Sequence, residues 1–424
     1  MSRSFLTEKV VKAMVNEDNI DDASDPEEDD NVVTYDKSFK KFITPEIVNT
    51  IVHHTNEEAS IRNLKLTNTE ELYAFIGILI LMGANNDSEL PIDDLWGKVL
   101  GKNIYTATMS RIRFGELLSL IGFDDKQTRT ERRKQDKFCP IREVFYKIDE
   151  LFVKYYIPSA HLTIDEMLSL FRGRCPFKVF MKDKPGKYGI LIRMLSDAHT
   201  RYILKMEVYA EKDERPPSNG VQITEELYND DKLTLVGTLK SNRKHIPEEL
   251  KKTQGRELYS SRFLFTDPKT GKAPVTLVSY ITRLKPTKNL LLLSTQHNDR
   301  KVDESTEKKK TDVNLYYNET KGGIDSIDQM TRHHSVKRET RRWPLSIFFT
   351  LIDIACLNGG TIFMKNNPDW NKKKDNVRRL YMLELGQQLV RPVVEERAKN
   401  IIGLQKPIIS AIESVLGKRF PVLV

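Results

Sequence analysis

Two stretches in the N-terminal part of the chain, residues 110–121 and 141–156, carry apolar residues at three- and four-residue spacings. This spacing puts the apolar side chains on one face and predicts two amphipathic helices. Residues 72–82 and 345–357 are almost continuously apolar instead. The first run is too short to span a bilayer and Asp353 interrupts the second, so both are predicted to be buried helices.

From residue 161 the pattern changes to short segments rich in apolar and β-branched residues. Residues 178–182 and 188–195 flank a Lys-Pro-Gly-Lys turn and predict a β-hairpin. Strands are also predicted at residues 161–165 and 202–209. Further short strands are predicted along the chain at 233–239, 262–265, 275–282 and 290–294.

The chain returns to a helical pattern after Gly322 and Gly323, and Trp343-Pro344 opens the most apolar helix, since proline is favoured in a first turn. The order helix, sheet, insert, helix predicts an α/β fold of the α+β kind, with a central unit inside a helical frame built from both ends. The predicted divisions are an acidic disordered tail (1–36), a first helical part (37–160), a core sheet (161–245), a β-rich insertion (246–312), a core helix (313–330) and a second helical part (331–424).

Charge narrows the choice of partner. The 424 residues carry a net charge of +8, although residues 17–30 are strongly acidic, so the folded body is more basic than this average. A basic body favours a polyanion, nucleic acid before membrane. The three cysteines are far apart and, like the eight histidines, lack zinc-finger spacing. We therefore expect a reducing compartment, no zinc, no membrane partner and no small-molecule substrate.

Asp165 is the first candidate for chemistry. It ends a short β-like segment that starts at His161 and opens an antiparallel run of strands. Nuclease-type folds hold a divalent metal on a carboxylate at this position, and Mg²⁺ requires such hard oxygen ligands. Taken alone, an acidic residue at a strand end is usually just a solvated carboxylate.

Asp325 and Asp328 follow two glycines and are spaced three apart, which places them on one face of a helix. They are therefore candidates to hold a metal together. Alternatively, Asp325 caps the helix and Asp328 is favoured by the helix dipole.

Clusters of basic residues are candidates for DNA contacts. Such clusters either bind phosphates, with a strong dependence on salt, or form a solvated face. The candidates for DNA binding are Arg129, Arg132, Arg133, Lys134, Lys337, Arg338, Arg341, Arg342, Lys372, Lys373 and Lys374, with Lys137 beside the first cluster.

A set of longer motifs covers most of the chain in a fixed order. They are Asp-Asp-Lys (124–126), Phe-Cys-Pro-Ile-Arg (138–142), His-Leu-Thr-Ile-Asp-Glu (161–166), Phe-Arg-Gly-Arg-Cys-Pro-Phe (171–177), Lys-Tyr-Gly (187–189), Val-Gly-Thr (236–238), Lys-Ser-Asn-Arg (240–243), Tyr-Tyr-Asn (316–318), Lys-Gly-Gly-Ile-Asp-Ser-Ile-Asp-Gln-Met (321–330), Arg-Trp-Pro (342–344) and Ile-Ala-Cys (354–356). In these motifs the chain resembles the piggyBac transposase family over roughly residues 36–385.

The resemblance implies an RNase H-like catalytic core inside a helical domain for dimerisation and DNA binding. It also implies cut-and-paste DNA transposition, with DNA as partner, a homodimer and a nuclear location. In this family three aspartates hold Mg²⁺ ions, and a pair of ions about 4 Å apart supports an in-line displacement at phosphorus. The first family aspartate matches Asp165, the last matches Asp325, and Asp328 matches a further acidic position.

Two features depart from the family. Its second catalytic aspartate stands in an Asp-Asn-aromatic segment after a strand, and residues 219–232 lack that segment. Asp230 and Asp231 enter the next strand at its N-terminal end, so neither is expected to replace the missing aspartate. The cysteine-rich zinc segment near the family's C-terminus is also absent after Cys356.

The sequence therefore predicts a transposase-derived DNA-binding protein with impaired catalysis, whose catalytic residues would be Asp165 and Asp325. Three alternatives stay open. The chain is an active Mg²⁺-dependent transposase whose sequence is incomplete here, a domesticated non-catalytic module that binds DNA or protein, or a decaying gene product that folds poorly.

Overall fold

A computed structural model describes residues 33–182, 184, 186–210, 227–229, 233–242, 246–270, 272–285 and 287–420. Most of the predicted acidic tail lies outside the described residues, and so do Asp230 and Asp231. The end predicted for the tail at residue 36 is slightly too late, because Tyr35 and Asp36 already form the first helical turn. Tyr35 is held there because its ring stacks on Phe363, with ring centroids 4.4 Å apart.

The N-terminal part is helical, as predicted. Its helices are α1 (Tyr35–Lys40), α2 (Pro45–Ile61), α3 (Thr69–Ala84), α4 (Ile92–Leu95), α5 (Asn103–Thr108), α6 (Arg111–Leu120), α7 (Arg129–Gln135) and α8 (Arg142–Lys154). The two predicted amphipathic helices are α6 and α8, and the apolar run 72–82 lies in the buried helix α3. The basic stretch around residues 129–137, which has no apolar periodicity, nevertheless contains the short helix α7.

The first sheet contains β1 (Leu162–Leu170), β2 (Val179–Phe180), β3 (Tyr188–Asp197) and β4 (Ile203–Val208). β3 is central and all pairings are antiparallel: β1 lies along one edge of β3, and β4 and β2 share the other. The predicted hairpin on either side of the Lys-Pro-Gly-Lys turn is confirmed as β2 and β3. β1 is longer than predicted, because pairing with β3 continues to Leu170.

A second antiparallel sheet contains β5 (Val236–Leu239), β6 (Ser261–Phe265), β7 (Thr276–Leu284) and β8 (Thr287–Ser294), in the order β5-β8-β7-β6. The short helix α9 (Glu248–Lys251) packs beside it. β5 was predicted to belong to the core sheet at 161–245, and this is corrected by its pairing with β8. The β-rich insertion therefore begins before Val236 rather than at residue 246.

Between residue 312 and the last described residue, 420, the helices are α10 (Asp312–Thr320), α11 (Gly323–His333), α12 (Trp343–Asn366), α13 (Val377–Lys399) and α14 (Lys406–Leu416). By length and composition α12 is apolar enough to cross a membrane, but 94% of its most apolar stretch is buried inside the protein. This agrees with the prediction of a buried helix. The Asp353 carboxylate on α12 accepts hydrogen bonds from Ser335 Oγ at 2.7 Å and the Val336 N–H at 2.9 Å.

The two helical parts form one frame because α3 and α13 pack closely through two glycines. A Cβ atom added to Gly77 would lie 3.1 Å from the Gly386 carbonyl oxygen and 2.8 Å from Val390. A Cβ atom on Gly386 would lie 2.6 Å from Leu81. Only glycine permits this approach, so helices from both ends of the chain enclose the first sheet, as the order of elements predicts.

The end of β3 is held by Asp197, which is fully buried. Its carboxylate accepts backbone hydrogen bonds from Ser159 at 2.7 Å and from His199 and Thr200 at 2.9 Å. Burial opposes ionisation here, but the three backbone donors outweigh it and lower the pKa of Asp197 to about 2. The contact joins the segment before β1 to the β3–β4 turn, and so sets the position of β1.

Replacing Asp197 with alanine should lower the free energy of unfolding by about 2 kcal/mol at neutral pH, since the folded pKa lies below the usual value for a carboxyl group. A depressed pKa stabilises the fold above the unfolded-state pKa, and this contribution is lost as the pH falls through the folded-state pKa. The difference between wild type and Asp197→Ala in urea unfolding should therefore narrow from about pH 5 to pH 3. Asp369→Ala removes an almost fully exposed carboxylate and serves as the control that should change neither quantity.

Candidate functional site

Helix α11 lies directly on β1 because residue 323 is a glycine. A Cβ atom at Gly323 would lie 2.3 Å from Thr163 Cγ2 and 3.4 Å from Ser196 Oγ. Side chains two residues apart in a strand point to the same face. Asp165 therefore shares the face of β1 that Thr163 turns toward α11, while Asp325 lies two residues beyond Gly323. The structure brings these two predicted site residues onto facing elements.

Asp325 lies in the first turn of α11, with a side chain that is 70% exposed. It is not the N-cap, as one alternative proposed, because Gly322 occupies that position without a side-chain hydrogen bond. Asp328 is buried, and its Oδ2 accepts a 2.9 Å hydrogen bond from Arg332 Nη2. Burial raises the pKa of the Asp328 carboxyl, although Arg332 and Lys184 act in the opposite direction.

Lys184 also belongs to this site, and the sequence analysis did not identify it. Its Nζ donates a 3.2 Å hydrogen bond to the Glu166 carbonyl oxygen of β1 and lies 3.6 Å from Asp325 Oδ1. The available signal was a lysine in the predicted hairpin turn that follows the strand of Asp165. We refer to Asp165, Asp325, Asp328, Lys184 and Arg332 as the acidic site.

The acidic site fits a divalent metal only in part. Asp165 and Asp325 have the hard oxygen donors that Mg²⁺ requires, whereas Asp328 is already paired with Arg332. Within the described residues, these aspartates do not form a group of three carboxylates with ligand atoms within 4.8 Å of one another. The two carboxylates on β1 and α11 are enough to hold one ion with water, but not the shared set of ligands that a pair of ions requires.

A basic groove of about 820 Å³ lies near the other end of β1. It joins α7, the loop between β1 and β2, and the start of α12. Of the described residues that line it, eight are cationic and none is a carboxylate: Lys126, Arg129, Arg133, Lys137, Arg174, Lys178, Arg341 and Arg342. Two basic clusters that are more than 200 residues apart in sequence therefore converge on one surface.

The cations of the basic groove differ in availability. The side chains of Arg133, Lys137, Arg174 and Arg341 are exposed. Arg129 hydrogen-bonds to the Asp124 carboxylate.

Two other predicted DNA contacts, Arg132 and Arg342, already bond to acceptors of the protein. Arg132 also bonds Asp124, at 2.6 Å. Arg342 donates to main-chain carbonyl oxygens that include Ser119, at 3.0 Å, and Ile121. Both guanidinium groups hold local structure, because several of their donors are already bonded to acceptors of the protein.

The prediction of phosphate contacts is corrected for two further residues. Arg338 is buried, and its Nη1 lies 3.3 Å from the Asp87 carbonyl oxygen. Lys337 Nζ donates to the Leu170 carbonyl oxygen at the end of β1, and burial lowers its pKa to about 8. These two side chains anchor the segment between α11 and α12 instead of facing solvent.

Four predicted lysines lie outside the basic groove. Lys134 is exposed and pairs with Glu131 on α7 at 2.7 Å. Lys372, Lys373 and Lys374 are exposed between α12 and α13, and Lys372 is 4.0 Å from Asp369. Their predicted role in DNA binding stays a prediction.

One other group could hold a metal. His53, His54 and Glu57 on α2 have ligand atoms that all lie within 4.8 Å of one another. Glu57 already contacts both imidazoles, at 3.5 Å from His53 and 2.9 Å from His54. Two imidazoles and a carboxylate are ligands that zinc accepts, so the expectation of a chain without zinc stays untested.

Comparison with known proteins relates these features to one group. A family model described as Transposase IS4 matches residues 36–225 and 219–359. A solved structure of piggyBac transposase, in a synaptic complex with hairpin DNA, is 33% identical with a TM-score of 0.81. The match covers 92% of this chain and 86% of the solved chain. Similarity at this level extends to the mixed fold with its RNase H-like core.

Gly323→Ala should destabilise the protein by about 1–3 kcal/mol, because the new methyl group overlaps Thr163 and forces α11 away from β1. Gly322→Ala is the matched control, since no atom lies within 4 Å of its added Cβ. Adding Thr163→Ser removes the obstructing methyl group and should recover much of the loss. Urea unfolding measures all four proteins, and equal effects of the two glycine substitutions would contradict the close contact.

Proposed function

The chain belongs to the piggyBac transposase family, and from this premise we propose that it binds DNA through the basic groove while having little strand-transfer activity. The observation that carries the proposal is the basic groove, in which cations from three separate segments converge with no carboxylate among its described lining residues. Phosphate contacts of this kind dominate the affinity of proteins for DNA.

DNA is the partner that this surface fits best. Arg133, Lys137, Arg174 and Arg341 are exposed and come from elements that the fold holds at fixed separations. Arginine forms two parallel hydrogen bonds to a phosphate, and a row of such residues follows a nucleic-acid backbone. The related piggyBac transposase was solved with hairpin DNA, which supports the same class of partner here.

The proposed loss of catalysis rests on the ligands of the acidic site. Asp165 and Asp325 would hold Mg²⁺, which would polarise a phosphoryl oxygen and favour ionisation of the attacking hydroxyl group. The sequence has no Asp-Asn-aromatic segment between residues 210 and 240. The family match also breaks into two pieces that meet at residues 219–225, where that segment is missing. We infer that the chain lacks the ligands for a pair of ions.

A homodimer and a nuclear location belong to the same proposal. Both rest on the family and on a basic, DNA-binding surface. The three cysteines are unpaired, which supports a reducing compartment such as the nucleus.

Two rivals differ in class. An active transposase with an incomplete sequence would use the acidic site for chemistry. A domesticated, non-catalytic module would keep only the binding surface for DNA or a protein.

Replacing Arg133, Arg174 and Arg341 together with alanine should weaken binding to a DNA duplex by at least about tenfold at moderate salt. The slope of the logarithm of affinity against the logarithm of salt should fall by up to about 2.7, or about 0.9 for each lost phosphate contact. Fluorescence anisotropy with a labelled duplex at several salt concentrations measures both quantities.

The matched control replaces Lys372, Lys373 and Lys374, which are exposed but outside the basic groove. An equal loss in this control would mean that DNA binds elsewhere. Asp165→Ala and Asp325→Ala should leave DNA affinity unchanged, since these residues belong to the acidic site.

Sequencing the native transcript across the codons for residues 219–232 should show the same short junction. A transcript that encodes a strand ending in Asp-Asn-aromatic would overturn impaired catalysis and favour the active transposase. With the short junction, purified protein in Mg²⁺ should cleave hairpin DNA far more slowly than a complete enzyme of the family.

A further inference from the structure

We propose that two cations of this chain, Lys184 and Arg332, take the place of divalent metal as charge partners of the acidic site, and that Lys184 directly opposes the binding of such an ion. The inference deepens the proposed function, because it gives a physical reason for weak metal binding beyond the missing aspartate. It rests on the family assignment of Asp165 and Asp325, but its test does not depend on DNA binding.

Lys184 connects the two elements that carry the family's metal positions. Its ammonium group donates to the Glu166 carbonyl oxygen on β1 at 3.2 Å and lies 3.6 Å from Asp325 Oδ1 on α11. The Lys184 side chain is only 22% exposed. An ion that approached Asp325 from the side of β1 would meet a positive charge at close range. The Lys184 ammonium group and a metal cation at Asp325 repel each other, and the repulsion is twice as large for a divalent as for a monovalent ion.

The backbone around Lys184 holds it in this position. The Lys184 N–H donates to the Met181 carbonyl oxygen at 3.2 Å, and the Lys184 carbonyl oxygen accepts from the Lys187 N–H at 3.1 Å. A Cβ atom at Gly186 would lie 2.1 Å from Leu170 Cδ2, so the turn rests directly on the end of β1. These contacts position Lys184 relative to the end of β1.

Arg332 acts in the same way on the second acidic position of α11. It lies one helical turn after Asp328, and its Nη2 is 2.9 Å from Asp328 Oδ2. The Asp328 side chain is only 13% exposed. Arg332 therefore partners this carboxylate at a position that a metal ion from solvent reaches poorly. Both acidic residues of α11 thus have a cation supplied by the chain itself.

The experiment measures Mn²⁺ affinity of the full chain by isothermal titration calorimetry. Lys184→Met should bind Mn²⁺ about fivefold more tightly than wild type, a modest gain because the pair is partly exposed to solvent. Lys184→Arg keeps the charge and should remain at the wild-type affinity. The gain should shrink in high salt, as screening weakens the repulsion in wild type.

Lys321→Met is the matched control. Lys321 lies four residues before Asp325. Its ammonium group lies over the Tyr317 ring at 5.2 Å from the centroid, and no carboxylate is paired with it in the described structure. Its replacement should leave Mn²⁺ affinity nearly unchanged. Adding Asp165→Asn to Lys184→Met should abolish the gain, which separates the acidic site from Mn²⁺ bound elsewhere.

The inference is overturned if Lys184→Met gains no affinity, if Lys321→Met gains as much, or if neither wild type nor variant binds Mn²⁺. Circular dichroism and urea unfolding verify that each variant is folded. DNA affinity is measured on the same proteins. If the wild-type protein does not bind DNA, the proposed function is refuted, but the Mn²⁺ affinities still decide the role of Lys184.

Discussion

The functional part of this protein depends on one steric condition, the absence of a side chain at Gly323. Without a Cβ atom there, α11 can lie on β1 within contact of Thr163. This contact puts Asp325 opposite the face of β1 that carries Asp165. It also fixes where the following segment starts, and that segment leads into α12 and the basic groove. A bulkier residue would separate the helix from the strand and move Asp325 away from the face of β1 that carries Asp165.

The segment between α11 and α12 connects the acidic site to the basic groove and is itself held in place. Asp353, buried on α12, holds its backbone at residues 335 and 336. Arg338 and Arg342 fasten it to carbonyl oxygens of the N-terminal helical part. Basic residues in this segment therefore have two different tasks. Those with internal acceptors maintain the frame, and Arg341, which is exposed, is left to face the basic groove.

The acidic site and the basic groove differ in the source of the charges that partner their side chains. In the groove, Arg129 and Lys126 pair with carboxylates of the protein. The exposed cations Arg133, Lys137, Arg174 and Arg341 have no carboxylate among the described lining residues, so a polyanion can balance their charge. In the acidic site, the cations Lys184 and Arg332 of the chain itself partner Asp325 and Asp328. This arrangement supports the proposal that the protein binds DNA while holding divalent metal weakly.

Much of the fold followed from the sequence alone. Apolar periodicity predicted α6 and α8, continuous apolar runs predicted the buried α3 and α12, and the Lys-Pro-Gly-Lys turn predicted the hairpin of β2 and β3. These features depend on residues that are close together in sequence, and therefore the local pattern predicts them.

Tertiary structure alone decided the partner of β5, the convergence of the basic clusters, and which of their arginines are exposed. It also decided that Lys184 reaches Asp325. Strand pairing and ion pairs between distant segments depend on which surfaces the core brings together, and local pattern carries no information about that. The sequence by itself determined the family, most helices and strands, and the candidate aspartates. The burial of these aspartates and the cations beside them were decided by packing, because both depend on which distant segments the fold brings together.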